Sequence, residues 1–318
     1  MKRLAVLAGS LLLAAGLAHA AFPERPIRIV VPYAAGGGAD TAARLIGQKM
    51  AEHLGQPVIV DNRPGANAVV GTQAVARAEP DGHQIGMVIS AHAINPFVVR
   101  HLPYDPQKDF EPIAYVARMP GVLLVHHGLA GTTLPEIVAL AKQQPGQLFY
   151  AIPGGLTNGH VSMELLKLTA GIDVTPVMFK GGAPAAQEVL SGRVQLMITA
   201  PPASMPYIQS GRLRAVAVTG AARLKQLDQV PTFQEAGLAG FETYEWFALL
   251  APARTPRPVI DRLHEAVALA LNDPAIAARL AGMGLEVVNG GPRELRSMLE
   301  RELTKMRALT RAVKFDSE

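Results

Sequence analysis

Hydrophobic residues along this chain follow two alternating patterns. A branched-aliphatic run, Ile27-Arg28-Ile29-Val30-Val31, predicts a buried strand, and a glycine-rich stretch follows at residues 32–40. Residues 41–54 then place Ala43, Leu45, Ile46, Met50 and Leu54 at helical spacing, with Gly55 as the stop. The grammar repeats as a strand at 58–60, a loop at 61–68, a helix at 69–77, a Pro80-Asp81-Gly82 turn and a strand at 84–89. It restarts with strands at 122–125, 148–152, 175–179, 194–199 and 213–218, and with helices at 134–142, 160–169 and 184–190. Strands alternating with helices predict an α/β fold with mostly parallel sheets and helices on both faces.

Beyond residue 219 the pattern changes. One strand is expected at 246–250, then helices at 258–271, 274–283 and 292–310 without matching strands. Such a stretch is expected to return and clad the first unit. The division is therefore a signal peptide at 1–20, a discontinuous lobe 1 at 21–121 and 220–318, and lobe 2 at 122–219. Two crossovers, near 119–122 and 218–221, would join them, and paired crossovers let two lobes bend about a hinge.

The compartment is written in the first residues. Lys2 and Arg3 precede an apolar run that ends at Ala18-His19-Ala20. This is the layout of a secretory signal peptide, with cleavage expected after Ala20 and the mature protein in the periplasm. The run is shorter than the ~20 residues a membrane-spanning helix needs, so no stable membrane insertion is expected. The chain has no cysteine, which removes disulfides, thiol catalysis, cysteine metal sites and an N-terminal lipid anchor.

Lys2 and Arg3 supply two of the formal +4 charges. The remaining basic residues are scattered, so nothing points to nucleic acid. The mixed charges of 294–314 alternate with apolar positions such as Leu295, Met298, Leu299 and Leu303, which suits a solvated terminal helix.

The loops leaving strands carry the candidate chemistry. Tyr33, Gly36, Gly37, Gly38, Ala39 and Asp40 lie between a strand and a helix start. There the backbone can approach a ligand closely, and unpaired N–H groups favour an anion without any basic side chain. The same loop also reads as a tight turn with Asp40 organising the helix. Gly65, Ala66 and Asn67 lead into the next helix, and Ser90 and Asn95 follow the third strand. In the second lobe Ile152, Gly154, Thr157 and His160 repeat the strand-to-helix device, with Phe179 and Lys180 after the next strand. Open α/β sheets bind ligands at the carboxyl ends of their strands.

Enzyme signatures fail. Gly154 and Gly159 have P-loop spacing, but His160-Val161 stands where the phosphate- and magnesium-binding pair belongs. No G-x-G-x-x-G or G-x-S-x-G stretch occurs, and His264-Glu265 lacks the second histidine of a zinc helix. His126 and His127 are adjacent on a strand edge, where side chains diverge. No catalytic residue, cofactor or metal site is expected.

Phe22-Pro23, Pro26-Ile27-Arg28, Val31-Pro32-Tyr33, Asn62-Arg63-Pro64-Gly65-Ala66 and Leu102-Pro103-Tyr104-Asp105-Pro106 form a series of motifs that continues through Lys180-Gly181, Val230-Pro231-Thr232 and Ala251-Pro252-Ala253. Across nearly all the mature chain this series resembles the substrate-binding proteins of tripartite tricarboxylate transporters, the Bug family of periplasmic receptors. The resemblance implies a type II periplasmic binding fold with a Venus-flytrap cleft. It implies a small carboxylate ligand held largely by backbone amides and water, and a tripartite-type inner-membrane permease as partner; the chain is expected to be a monomer. Ala39, Ile152 and Phe179 depart from the family pattern, each by removing a hydroxyl. If those side chains face the cleft, the pocket is less polar, and a partly apolar or aromatic monocarboxylate fits better than a polycarboxylate. Two other functions remain open at this stage: a receptor signalling to a membrane kinase, and a periplasmic enzyme with an unfamiliar site.

Overall fold

The computed structural model describes residues 22–154, 157–313 and 315. The expected signal peptide and its cleavage point lie outside them, as do Gly155 and Leu156 of the second-lobe loop. The chain opens with β1 (Ile27–Val31), α1 (Gly38–Leu54), β2 (Val58–Asn62), α2 (Val69–Ala76), β3 (Gln84–Ile89), α3 (Ala91–Val98) and the long β4 (Phe110–Pro120). Gly121 leads into β5 (Val122–His126), followed by α4 (Leu134–Gln143), β6 (Phe149–Ile152), α5 (Asn158–Ala170), β7 (Thr175–Met178), α6 (Gly182–Leu190), β8 (Leu196–Thr199), α7 (Pro201–Gln209) and β9 (Leu213–Val218). The return is β10 (Tyr244–Pro252), α8 (Arg257–Asn272), α9 (Pro274–Gly282), β11 (Glu286–Gly290) and α10 (Pro292–Ala312).

Two sheets result, ordered β11-β4-β10-β3-β1-β2 and β7-β6-β8-β5-β9. In the first, β1 pairs in parallel with β2 and β3. Successive residues feed opposite faces, as strand geometry requires. Ile29 and Val31 join a core with α1 and α8, while Val30 joins another with Trp246 and Leu295. Gly55 ends α1 in the left-handed region at φ 70° and returns its N–H to Ala51 O. Thr133 and Glu136 form a capping box at the start of α4.

The sheets are mixed rather than mostly parallel. β10 is antiparallel to both β3 and β4, and β5 is antiparallel to β8 and β9. β4 leaves the first lobe and β10 re-enters it side by side, so the two must run in opposite directions. β11 adds an antiparallel edge to β4, so the C-terminal stretch does contribute a strand.

The packing also moves the second crossover. Leu224 and Leu227 lie in one core of the second sheet, and Phe233 and Phe241 in the other, where their rings stack 4.2 Å apart. The stretch from Gly220 to Phe241, expected in lobe 1, therefore packs on lobe 2, and the chain returns at Thr243. There the crossovers are tied together. Thr219 Oγ1 accepts from Gly121 N and donates to Thr243 O, both at 2.7 Å. Gly121 has no room for a side chain, because a Cβ would stand 2.6 Å from Ile198 Cγ2.

The end of α10 bridges the lobes. Met306 and Leu309 pack with Ile94 of α3 and Val161 of α5.

Candidate functional site

The carboxyl ends of β1, β2 and β3 in one lobe, and of β6, β7 and β8 in the other, carry the loops singled out above. Three strand-to-helix loops of the first lobe are linked. Asp40 is almost fully buried; its Oδ2 accepts from Gly36 N (2.9 Å) and its Oδ1 from Asn62 Nδ2 (2.9 Å). The hydrogen bond from Arg44 holds its carboxyl below the usual range, against burial and with help from Gly36 and Asn62. Asp40 thus organises the helix start, and the nearest base, Arg44, is committed to it. Gly36 is the glycine that the turn requires, at φ 82°, whereas Gly37 is extended.

Gly36, Gly37 and Gly38 are exposed, and Ala39 is buried against the core. No side chain caps α1, and the N–H groups of Gly38, Ala39 and Asp40 have no acceptor among the described residues. Three unpaired donors at the positive end of a 17-residue helix make an anion cradle.

The next loop is strained. Gly65 has φ 141°, and Ala66, Asn67 and Ala68 follow at 46°, 49° and 71°. Three successive non-glycine residues in the left-handed region are costly and persist only where the surroundings impose them. Here the imposing group is Asn95, fully buried on α3 and doubly bonded to Asn67. The structure therefore gives Asn95 a supporting place behind the loop, with its amide engaged internally.

In the second lobe, Thr157 caps α5 by accepting from His160 N (3.3 Å). Gly159 lies against the end of β8, where a Cβ would meet Ile198 O at 2.4 Å. The His160 ring is buried between Tyr150 and Phe315, away from the cavity described below. Gly154 faces the neighbouring loop, 3.6 Å from Phe179 O to its missing Cβ. Lys180 is exposed beside it. Ile152 is 1% exposed inside the second-lobe core, because its side chain points inward from β6. Its missing hydroxyl does not alter the cleft. Ala39 is likewise turned to the core, so of the three departures only Phe179, half-buried, retains an exposed part.

Between the lobes lies a cavity of ≈ 130 Å³. The crossover contributes Met119, Pro120 and Gly121, and the second lobe contributes Pro153, Thr157, Asn158, Gly159 and the end of β8. The first lobe contributes Glu245, on β10. Of the residues expected from sequence, Thr157 lines this cavity. Asn158 braces its wall: in the amide orientation that satisfies both of its ends, Nδ2 donates to Tyr244 O and Oδ1 accepts from Glu245 N, both at 3.2 Å, so that the amide spans the lobes. Ser162 Oγ and Thr243 Oγ1, 2.7 Å apart, add a second link.

Glu245 went unread in the sequence, although a lone acid in the otherwise apolar strand Tyr-Glu-Trp-Phe-Ala-Leu-Leu was the available signal. Its Oε1 accepts from Ser90 N at 2.9 Å. Burial pushes its carboxyl up to about 7, opposed by Ser90 and reinforced by Glu302. Burial and the charge of Glu245 together push the Tyr33 hydroxyl well above its ordinary value.

Two linked lobes, a cavity at their junction and an uncapped helix start at the carboxyl end of the first-lobe strands match a known set of proteins. A family model described as tripartite tricarboxylate transporter family receptor matches residues 42–315. The chain belongs to this family. Its relatives include the protein BugT of Bordetella pertussis, 31% identical over 98% of this chain and 97% of that protein. Among solved structures, an R. palustris protein with adipate is 35% identical, with a TM-score of 0.77 over 91% of this chain and 97% of that one. MatC from Rhodopseudomonas palustris with bound malate is 32% identical, with a TM-score of 0.74 over 91% and 99%. The family is one of periplasmic solute-binding receptors, and the α/β two-sheet architecture read from the sequence is theirs. Among the described residues no helix is long and apolar enough to cross a membrane.

Proposed function

We propose that this receptor captures a small carboxylate between its lobes in the periplasm and presents it, as a monomer without chemical change, to a tripartite-type permease. The observation that carries the reading is the set of unpaired N–H groups at the start of α1, in a first-lobe loop at the carboxyl ends of the strands, together with an inter-lobe cavity lined by the start of α5. Helix starts bind carboxylates through backbone donors and the helix dipole. The relatives solved with adipate and malate support the same ligand chemistry.

Binding to both lobes favours the closed arrangement, because only that arrangement lets one ligand touch both lobes. In this reading the bend is at the crossovers near Gly121, Thr219 and Thr243, which are joined to one another by hydrogen bonds. The Lys2-Arg3 start and the Ala18-His19-Ala20 pattern support export with cleavage after Ala20. Mass spectrometry of small molecules released from the denatured periplasmic protein tests the reading, followed by calorimetry with the molecule found. A carboxylate is expected. Release of a neutral sugar or a metal complex, with no carboxylate binding, would overturn it.

A further inference from the structure

The start of α1 suits an anion, but the cavity wall at Glu245 carries the opposite sign. Glu245 Oε1 takes the N–H of Ser90, the residue preceding α3. The protein's own carboxylate thus fills the place that a ligand carboxylate would take at that helix start. The second oxygen of Glu245 has no hydrogen-bond partner other than Ser90 among the described residues, and the side chain lines the cavity.

The charged and titratable neighbours do not neutralise it. Tyr33 faces it from the loop after β1, and Glu302, whose carboxylate is held by Lys305 at 2.6 Å, acts on it from α10 with the same sign. Arg118, on the adjacent β4, stacks over the Tyr244 ring and pairs with Glu286. Tyr244 and Glu245 are consecutive in β10, so they point to opposite faces of the sheet. Glu245 is half-buried at the cavity wall, and a carboxylate there without a cation attracts a cation and repels a second anion.

We propose that Glu245 is a specificity-determining residue that selects, among small carboxylates, those that also carry a protonated nitrogen. The ligand class is then a zwitterionic amino acid, its carboxylate at a helix start and its ammonium at Glu245, rather than a dicarboxylate. This rests on the reading of the inter-lobe cleft as the carboxylate site, and the experiment separates the two. Three pairs of probes match in chain length and differ only by ammonium for carboxylate: β-alanine and succinate, γ-aminobutyrate and glutarate, δ-aminovalerate and adipate. Calorimetry on the mature protein and on Glu245→Gln is run at about pH 8, above the midpoint of Glu245.

In at least one pair the amino member is expected to bind the wild type about tenfold or more tightly than its partner, with the preference lost in Glu245→Gln. Equal or tighter binding of the dicarboxylates, survival of the preference in the variant, or no binding of any amino member overturns the proposal. Pentylamine and pentanoate are the separating arms. Binding of pentylamine alone sinks the carboxylate reading and leaves Glu245 standing, while binding of pentanoate alone does the reverse. A wild-type readout does not depend on the variant folding. At pH ~7 the amino probe should release a proton, seen by calorimetry in buffers of different ionisation enthalpy. Proton uptake would overturn the proposal.

Discussion

Asn67 and Asn95 hold each other by two hydrogen bonds, from Asn67 Nδ2 to Asn95 Oδ1 (2.8 Å) and from Asn95 Nδ2 to Asn67 O (2.9 Å). This pair fixes the strained turn at 66–68 on the fully buried side chain of Asn95. Asn95→Ala removes both bonds and lets the turn relax. A loss of about 1–3 kcal/mol in urea unfolding is expected. A larger proportional loss of ligand affinity should accompany it, because the turn sits beside the α1 start. Unchanged affinity in a destabilised variant would place the loop outside the site.

His92 sets an acid limit on stability. It is buried beside Tyr104 and Phe110, and Nε2 lies 3.0 Å from Pro106 O. Burial lowers its pKa from 6.5 to about 4, against the Pro106 contact. The unfolded chain therefore takes up a proton that the folded chain refuses. Stability is lost as pH falls from about 6.5 to about 4 and levels off below, by roughly 3 kcal/mol from this group. His92→Gln should flatten that part of the profile, measured as melting temperature against pH. A profile of unchanged slope would show that other groups govern it.

Glu245 acts with the opposite sign. Its folded-state pKa of about 7 stands above the ordinary 4.5, so the stability it contributes is present below about 4.5 and lost as pH rises through about 7. Glu245→Gln should melt higher than the wild type at pH ~8 and close to it at pH ~5. A variant less stable at both values would mean that the carboxylate is needed by the fold, not tolerated for its charge.

The three sequence signals that survived best were local. The β-branched run of β1, its glycine-rich exit and the stop at Gly55 were legible because each depends on neighbours in the chain. β4 was not: Pro112, Arg118 and Glu111 interrupt its apolar pattern, and its pairing with β10 spans more than a hundred residues. β11, with the short pattern Glu-Val-Val-Asn-Gly, is an edge strand that little distinguishes from a loop. The site divides the same way. Helix starts could be read from glycines and caps, but the meeting of Glu245 with Ser90 joins residues 155 apart in sequence. Ile152 shows the converse error, since a change from the family's usual residue was visible while the direction of the side chain was not.

Backbone recognition at the start of α1 makes a sharp contrast between two substitutions. Gly37 precedes that helix with extended backbone, and a Cβ there would lie 3.4 Å from Ala34 O, so a side chain can be accommodated. Gly36 is the residue whose φ of 82° demands glycine, and it is left intact. Gly37→Val should therefore fold with little change in melting temperature while its branched side chain obstructs the unpaired N–H groups of Gly38, Ala39 and Asp40. Affinity for the released ligand should fall at least about tenfold, the scale set by losing oriented donors to an anion. Arg63 is the nearby base that a charged clamp would use, but its Nε already donates to Asp61 Oδ2 at 2.9 Å. Arg63→Ala should change affinity by less than about threefold, as for a half-exposed ion pair. Calorimetry on both variants decides the matter: loss of binding in Arg63→Ala, with normal binding in Gly37→Val, would mean that a guanidinium rather than the helix start receives the carboxylate.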